Sequence, residues 1–209
     1  MHTAIKGVVG SIGGGGYAVN YLLASNELAD KLIQKGYTIL PSDSEHWKTI
    51  LTSYKTVVTA DNKLRFGTFA GTGNKAEEEL SKYCQNLLKP HTSENIKDPD
   101  NYKKAEKWCV TPVTVKDILK HEKYVPINID TSNNQIAKNS AWEAKVKLHK
   151  KSNTKINNLG LSTDENTVTE EDIRKIKEKC TEIGGKKNHE AEYETNLEHF
   201  KNWCSNKSN

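Results

Sequence analysis

Arginine is almost missing from this chain. Arg65 and Arg174 are the two arginines among 31 basic residues, although the formal charge is +4 over 209 residues. Nucleic-acid sites lean on arginine for bidentate contacts to phosphates and bases, and no basic stretch interleaved with aromatics stands in for it. The lysines therefore read as a solvated surface, and nucleic acid is not an expected partner. Metal-site spacing is missing too. None of the seven histidines makes a His-x-x-x-His pair and none of the four cysteines a Cys-x-x-Cys pair, the spacings that zinc favours. The absence of Gly-Lys-Ser and Gly-Lys-Thr excludes the phosphate loop of nucleoside triphosphatases. No catalytic, cofactor-binding or metal-binding residue is expected, and a non-enzymatic protein is.

Charge is also missing from one end. No Asp, Glu, Lys or Arg occurs between Gly7 and Asn26, so residues 1–25 read as a membrane anchor or export signal behind the cation of Lys6. Six glycines and Asn20 keep this run only weakly apolar. Two other readings stay open, a structureless glycine-rich leader and a nucleotide loop at Gly10–Gly16. The second needs a helix, a further strand and an acidic residue behind it, and the segment after it leads into helical patterns instead.

What is present is a duplication. Lys107-Trp108-Cys109 returns ninety-five residues later as Asn202-Trp203-Cys204. The same offset carries Trp47 to Trp142 and, one residue out, Cys84 to Cys180; Tyr54 maps to His149, Lys55 to Lys150, Leu64 to Leu159 and Phe66 to Leu161. The four Trp (Trp47, Trp108, Trp142 and Trp203) are read as core anchors. The expected fold class is mainly α: two tandem copies of a small helical module, 26–125 and 126–209, behind the N-terminal hydrophobic segment.

Local signals place three helices in each copy. A short connecting helix, Asn26 to Lys35, precedes them and ends at Gly36. Ser42 with Glu45, and Ser140 with Glu143, predict capping boxes. Trp47, Ile50, Leu51 and Tyr54 then form one apolar stripe. The second helix is predicted over Lys75–Leu88, with its copy running from Thr169, capped by Asp172, to a Gly184-Gly185 stop. The third begins at Asp98-Pro99. Segment 126–139 is the expected linker, and loops 56–74, 89–98 and 151–168 the expected contact surface.

Each copy owns two cysteines. One lies on its second helix and one at the end of its third. Antiparallel helices can bring such positions within bridging distance. Of the three possible connectivities, Cys84–Cys109 with Cys180–Cys204 alone repeats within each copy, and it is expected over buried free thiols or zinc ligation. Each bridge would stabilise its module by ~3 kcal/mol, and disulfides persist outside the reducing cytosol.

The run Lys107-Trp108-Cys109-Val110-Thr111-Pro112-Val113-Thr114-Val115-Lys116-Asp117 and the terminal Phe200-Lys201-Asn202-Trp203-Cys204, behind a glycine-rich N-terminus, resemble the large paralogous families of uncharacterised proteins of haemotropic mycoplasmas. The resemblance covers nearly the whole chain. It implies a surface-exposed protein, expanded by duplication and engaged in host contact or antigenic variation, and it carries over no catalytic or binding residue. The expectation is a single-pass membrane protein with its body extracellular and an unknown host protein or cell surface as partner. The alternative is a soluble nucleotide-binding protein using Gly10–Gly16.

Overall fold

The computed structural model of the chain describes residues 27–89, 99–128 and 140–208. The expected anchor over 1–25, the Gly10–Gly16 loop and most of the 126–139 linker lie outside the described residues. The fold is mainly helical, with helices α1 (Glu27–Gln34), α2 (His46–Ala60), α3 (Ala76–Leu87), α4 (Pro99–Trp108), α5 (Val115–His121), α6 (Ser140–Lys151), α7 (Glu170–Gly185) and α8 (Tyr193–His199). A 3-10 turn at Asn62–Leu64 follows α2, and α8 widens into a π-helical turn at Phe200–Cys204. Two short strands, β1 (Tyr124–Pro126) and β2 (Ser205–Lys207), pair antiparallel with Val125 opposite Asn206.

The helices form where the apolar spacing dictates. On α2, Trp47, Ile50, Leu51, Tyr54, Val57 and Val58 are all buried, an i, i+3, i+4, i+7 stripe extended by one turn. Burying each such side chain stabilises the fold by about 1.5–3 kcal/mol. The helix runs on to Ala60, so the first loop starts later than the expected 56. Its capping box does not form. Glu45 stands at the N-cap without a side-chain bond, and Ser44, not Ser42, accepts a hydrogen bond from the His46 N–H at 3.2 Å. Thr169 and Asp172 do form one at the start of α7.

The two glycine signals act differently. Gly36 sits after α1 at φ +93°, and its N–H and that of Tyr37 close on the carbonyls of Ile33 and Leu32, the left-handed helix stop expected of it. Gly184 is not a stop of that kind. It lies within α7, and a Cβ there would stand 2.7 Å from the Phe200 ring, so it is small because the π-helical turn packs directly on it.

The repeat is more complete than the Trp and Cys register indicates. Leu40 N–H bonds the Cys109 carbonyl at 2.9 Å, and Ile127 N–H bonds the Cys204 carbonyl at 2.9 Å. The Ile39–Val110 bridge matches the Pro126–Ser205 pair of the β1–β2 ribbon. Lys123, at φ 62°, occupies the place of Gly36. In this leading part the offset is eighty-seven residues, and α5 followed by β1 corresponds to α1 followed by 37–40.

Both α5 and β1 escape sequence reading, as does β2. The expected boundary at 125/126 cuts through this unit. Packing explains why: α5 lies against α7 and α8, and β1 pairs with β2, so Val115–Pro126 goes with the second half.

Candidate functional site

The two Trp–Cys centres are built alike. Cys84 on α3 is bonded to Cys109 just after α4, and Cys180 on α7 to Cys204 at the end of the π-helical turn, with Cα atoms 5.3 and 5.4 Å apart. All four cysteines and all four tryptophans are buried. Each indole N–H finds a backbone carbonyl, which removes the cost of burying it. Trp47 donates to Pro41 and Trp142 to Asn128, both at 2.9 Å, and these acceptors correspond under the offset of eighty-seven. Trp108 stands edge-on to Tyr54 at 5.1 Å between ring centres, and Trp203 edge-on to His149 at 4.9 Å.

The copies diverge at that last position. Tyr54 is fully satisfied: its hydroxyl accepts the Phe66 N–H at 2.9 Å and donates to the Phe69 carbonyl at 3.0 Å. His149 accepts the Ile156 N–H through Nε2 at 2.9 Å, so in the neutral ring Nδ1 carries the proton. Nδ1 is buried and has no partner among the described residues. Burial, then the neighbouring charges of Lys155 and His199, lower its pKa from 6.5 to about 4.

The unfolded ring takes up its proton near pH 6.5 and the folded ring near 4, so the unfolded state binds more protons in between. The stability that neutral His149 contributes is complete above pH 6.5 and is lost as pH falls toward 4. The amount is about 2–3 kcal/mol. Thermal melts between pH 7 and 4.5 should show this loss, and His149→Tyr, the residue of the first copy, should flatten it. Superimposable pH profiles for the two proteins would refute the assignment. His189 and His199 are also lowered by burial and supply the residual slope.

The next residue of α6, Lys150, is buried where its counterpart Lys55 is exposed. Its ammonium lies 2.9 Å from Asp172 Oδ2, with the Ser162 hydroxyl and the Asp164 and Thr167 carbonyls also within reach. The Asp172 side chain in turn accepts from the Ser162 N–H and hydroxyl and the Thr169 N–H. Burial alone would raise its carboxyl, but these donors and Lys150 hold it well below the usual carboxylate range. The pair ties the start of α7 and the 162–167 loop to α6.

A polar seam joins the halves. Asn188 accepts the Val113 N–H through Oδ1 at 2.9 Å and donates through Nδ2 to the Glu106 carbonyl at 2.9 Å. Its own N–H bonds the Val113 carbonyl at 3.1 Å. Buried Lys107 donates to the Glu190 carbonyl at 2.8 Å and pairs with Glu194 at 3.3 Å. The Tyr37 and Tyr193 hydroxyls meet at 3.0 Å, and Tyr37 also donates to Glu106. Burial raises Glu106 and lowers Lys107. Ser53 Oγ lies 2.9 Å from His189 Nδ1, but no carboxylate is bonded to that ring among the described residues. This contact too crosses between the halves and belongs to the seam.

The burial of these polar residues is not marked in the sequence, although Thr169 with Asp172 is legible as a cap. Asn188 and His189 sit in a run of Lys, Lys, Asn and His, and Lys150 between His149 and Lys151, all of which read as solvated surface. Among the described residues no group of three or more His, Cys, Asp or Glu could hold a metal ion. A cleft of about 430 Å³ opens between the end of α6 and the 155–165 loop. No family model, no curated protein and no solved structure matches the chain.

Proposed function

We propose that the chain is a non-enzymatic, membrane-anchored surface protein whose two helical modules stand outside the cell and meet host molecules. The observation that carries this reading is that each half is closed by its own buried disulfide, a pattern that persists in oxidising surroundings. The charge-free stretch Gly7–Asn26 supplies the anchor in this reading. No helix among the described residues is long and apolar enough to cross a membrane. The resemblance of the Trp-Cys runs to the haemotropic mycoplasma families supports a role in host contact or antigenic variation.

Thiol alkylation of intact cells tests the reading. With the protein in place at the surface, all four cysteines resist alkylation until a reductant is added, and protease applied outside releases peptides from 27–208. Four freely reactive cysteines without reductant, in a protein that fractionates with the soluble cytosol, would sink it.

A further inference from the structure

Between the halves sits a histidine with nothing to balance a charge. His189 lies in the turn 186–190 that leads from α7 toward α8, and it is 4% exposed. Ser53 of α2 meets it from the other half, Oγ to Nδ1 at 2.9 Å. Nε2 is buried and has no partner among the described residues. The neutral ring has a tolerable arrangement here: Nδ1–H donates to Ser53, and only a lone pair at Nε2 goes unanswered. The imidazolium has none, because Nε2 would then carry a proton and part of the charge with no acceptor beside it.

The charged groups around the ring do not supply that acceptor. From α4, Lys107 sets its ammonium on the Glu190 carbonyl at 2.8 Å, one residue from the ring, and pairs with Glu194 of α8. The Glu106 carboxylate, also from α4, is taken by Tyr37. Within the turn the Glu190 carboxylate accepts the Lys187 N–H at 3.1 Å and lies 3.5 Å from the Lys186 ammonium. On α2, His46 stands two turns before Ser53 on the same face. Burial lowers the His189 pKa from 6.5; Glu190 opposes this, and Lys187, Lys107 and His46 add to it.

The same turn carries much of the bonding across the seam. Asn188 holds Val113 through its side chain and its backbone, and it holds the Glu106 carbonyl through Nδ2. The Glu190 carbonyl receives Lys107. A charge on His189 would therefore fall between the bonds to Asn188 and the bond to Glu190.

We propose that the 186–190 turn is an acid-released latch: a proton taken up by His189 loosens it from α2, α4 and the 110–114 connector and opens the seam. The open turn returns the ring to water, and its greater proton affinity there drives the opening as pH falls. The closed latch is at full strength above pH 6.5, the ordinary value of the ring, and weakens below it. Glu106 works in the opposite sense, since burial raises its carboxyl and a proton gained there favours the closed state. Its bond to Tyr37 lies within the first half and survives opening, so the opposing effect is the smaller. Opening is a local excursion from a fold that still melts as one unit. It uncovers Lys107 and Asn188, which the closed protein buries. The latch goes beyond the proposed surface role and does not depend on where the chain is anchored.

The test is native-state hydrogen exchange by NMR on the full chain with both disulfides intact, corrected for intrinsic exchange at each pH. The Val113 and Asn188 amides, bonded across the latch, are the reporters. Leu40 and Ile127, bonded to the Cys109 and Cys204 carbonyls within each half, are the references. The reporters are expected to exchange faster than the references throughout, and their opening constant to rise about five- to tenfold from about pH 7.5 to 5.5. His189→Asn keeps a side-chain amide for Ser53 and cannot take up a proton, so the rise should vanish whatever the variant's overall stability. His189→Gln gives the same comparison should His189→Asn not fold. His149→Tyr should leave the rise in place.

Three outcomes would overturn the latch. One is a parent whose reporters show no acid rise, or exchange in step with Leu40 and Ile127 as a single global opening would require. Another is an acid rise that persists in the His189 variants. The third is a rise abolished by His149→Tyr, which would put the titrating group on α6 and not in the seam.

Discussion

Removing the second bridge, by Cys180→Ala with Cys204→Ala, should cost about 3 kcal/mol of stability, and removing both bridges about twice that. Each disulfide closes a loop of similar length, with sequence separations of 25 and 24, and loop length sets the entropy that the unfolded chain regains. Alanine is the better replacement here, because the buried sites would leave a serine hydroxyl without a partner. Against a typical total of about 5–15 kcal/mol, losing both bridges removes a large share.

The melts should also reveal how the halves are coupled. One continuous core runs through both, and the Asn188 and Lys107 bonds cross between them. The oxidised protein is therefore expected to unfold in a single transition, and loss of either bridge to move that whole transition. Urea denaturation followed by tryptophan fluorescence and by circular dichroism checks this. A shift below about 0.5 kcal/mol per bridge, within the range of an ordinary surface substitution, would show that the sulfurs stabilise nothing the packing does not already hold.

The legible part of this molecule was the part written in rare residues. With four Trp and four Cys, a shared offset is hard to produce by accident, and those eight side chains occupy matching places in the fold. Even the weak match of Tyr54 with His149 marks one position, since each ring stands edge-on to its own tryptophan.

Short elements were not legible. Helix α5 has seven residues and each strand three, too few for a period to show, and tertiary contact holds them in place. The Ser42–Glu45 motif misled for a related reason. The Ser44–His46 bond satisfies the chain entry locally, so the helix starts later. The seam escaped because its partners, such as Lys107 and Glu194 or Val113 and Asn188, are far apart in sequence.

The buried pair on α6 gives the second large effect. Lys150→Met should destabilise the protein by about 3–5 kcal/mol, because it strands a carboxylate that has been taken out of water. The two side chains are 4% and 2% exposed, so solvent cannot take over from the missing ammonium. Met keeps most of the aliphatic stem, which confines the loss to charge and hydrogen bonds.

The first copy supplies its own control. Lys55 holds the corresponding position on α2 and is exposed, so Lys55→Met should fall within about 0.5 kcal/mol of the parent. Acid adds an independent readout. The carboxyl of Asp172 is depressed in the fold, so its contribution is present above the unfolded value of 3.8 and is lost as pH drops through the folded one. Removing Lys150 takes away one of the groups that depress it, and the variant should lose less stability than the parent on going below pH 3.8. Equal destabilisation by Lys150→Met and Lys55→Met would mean that the pair contributes no more than any surface lysine. The 162–167 loop, and the cleft it borders, would then have to be held in place by something other than this ion pair.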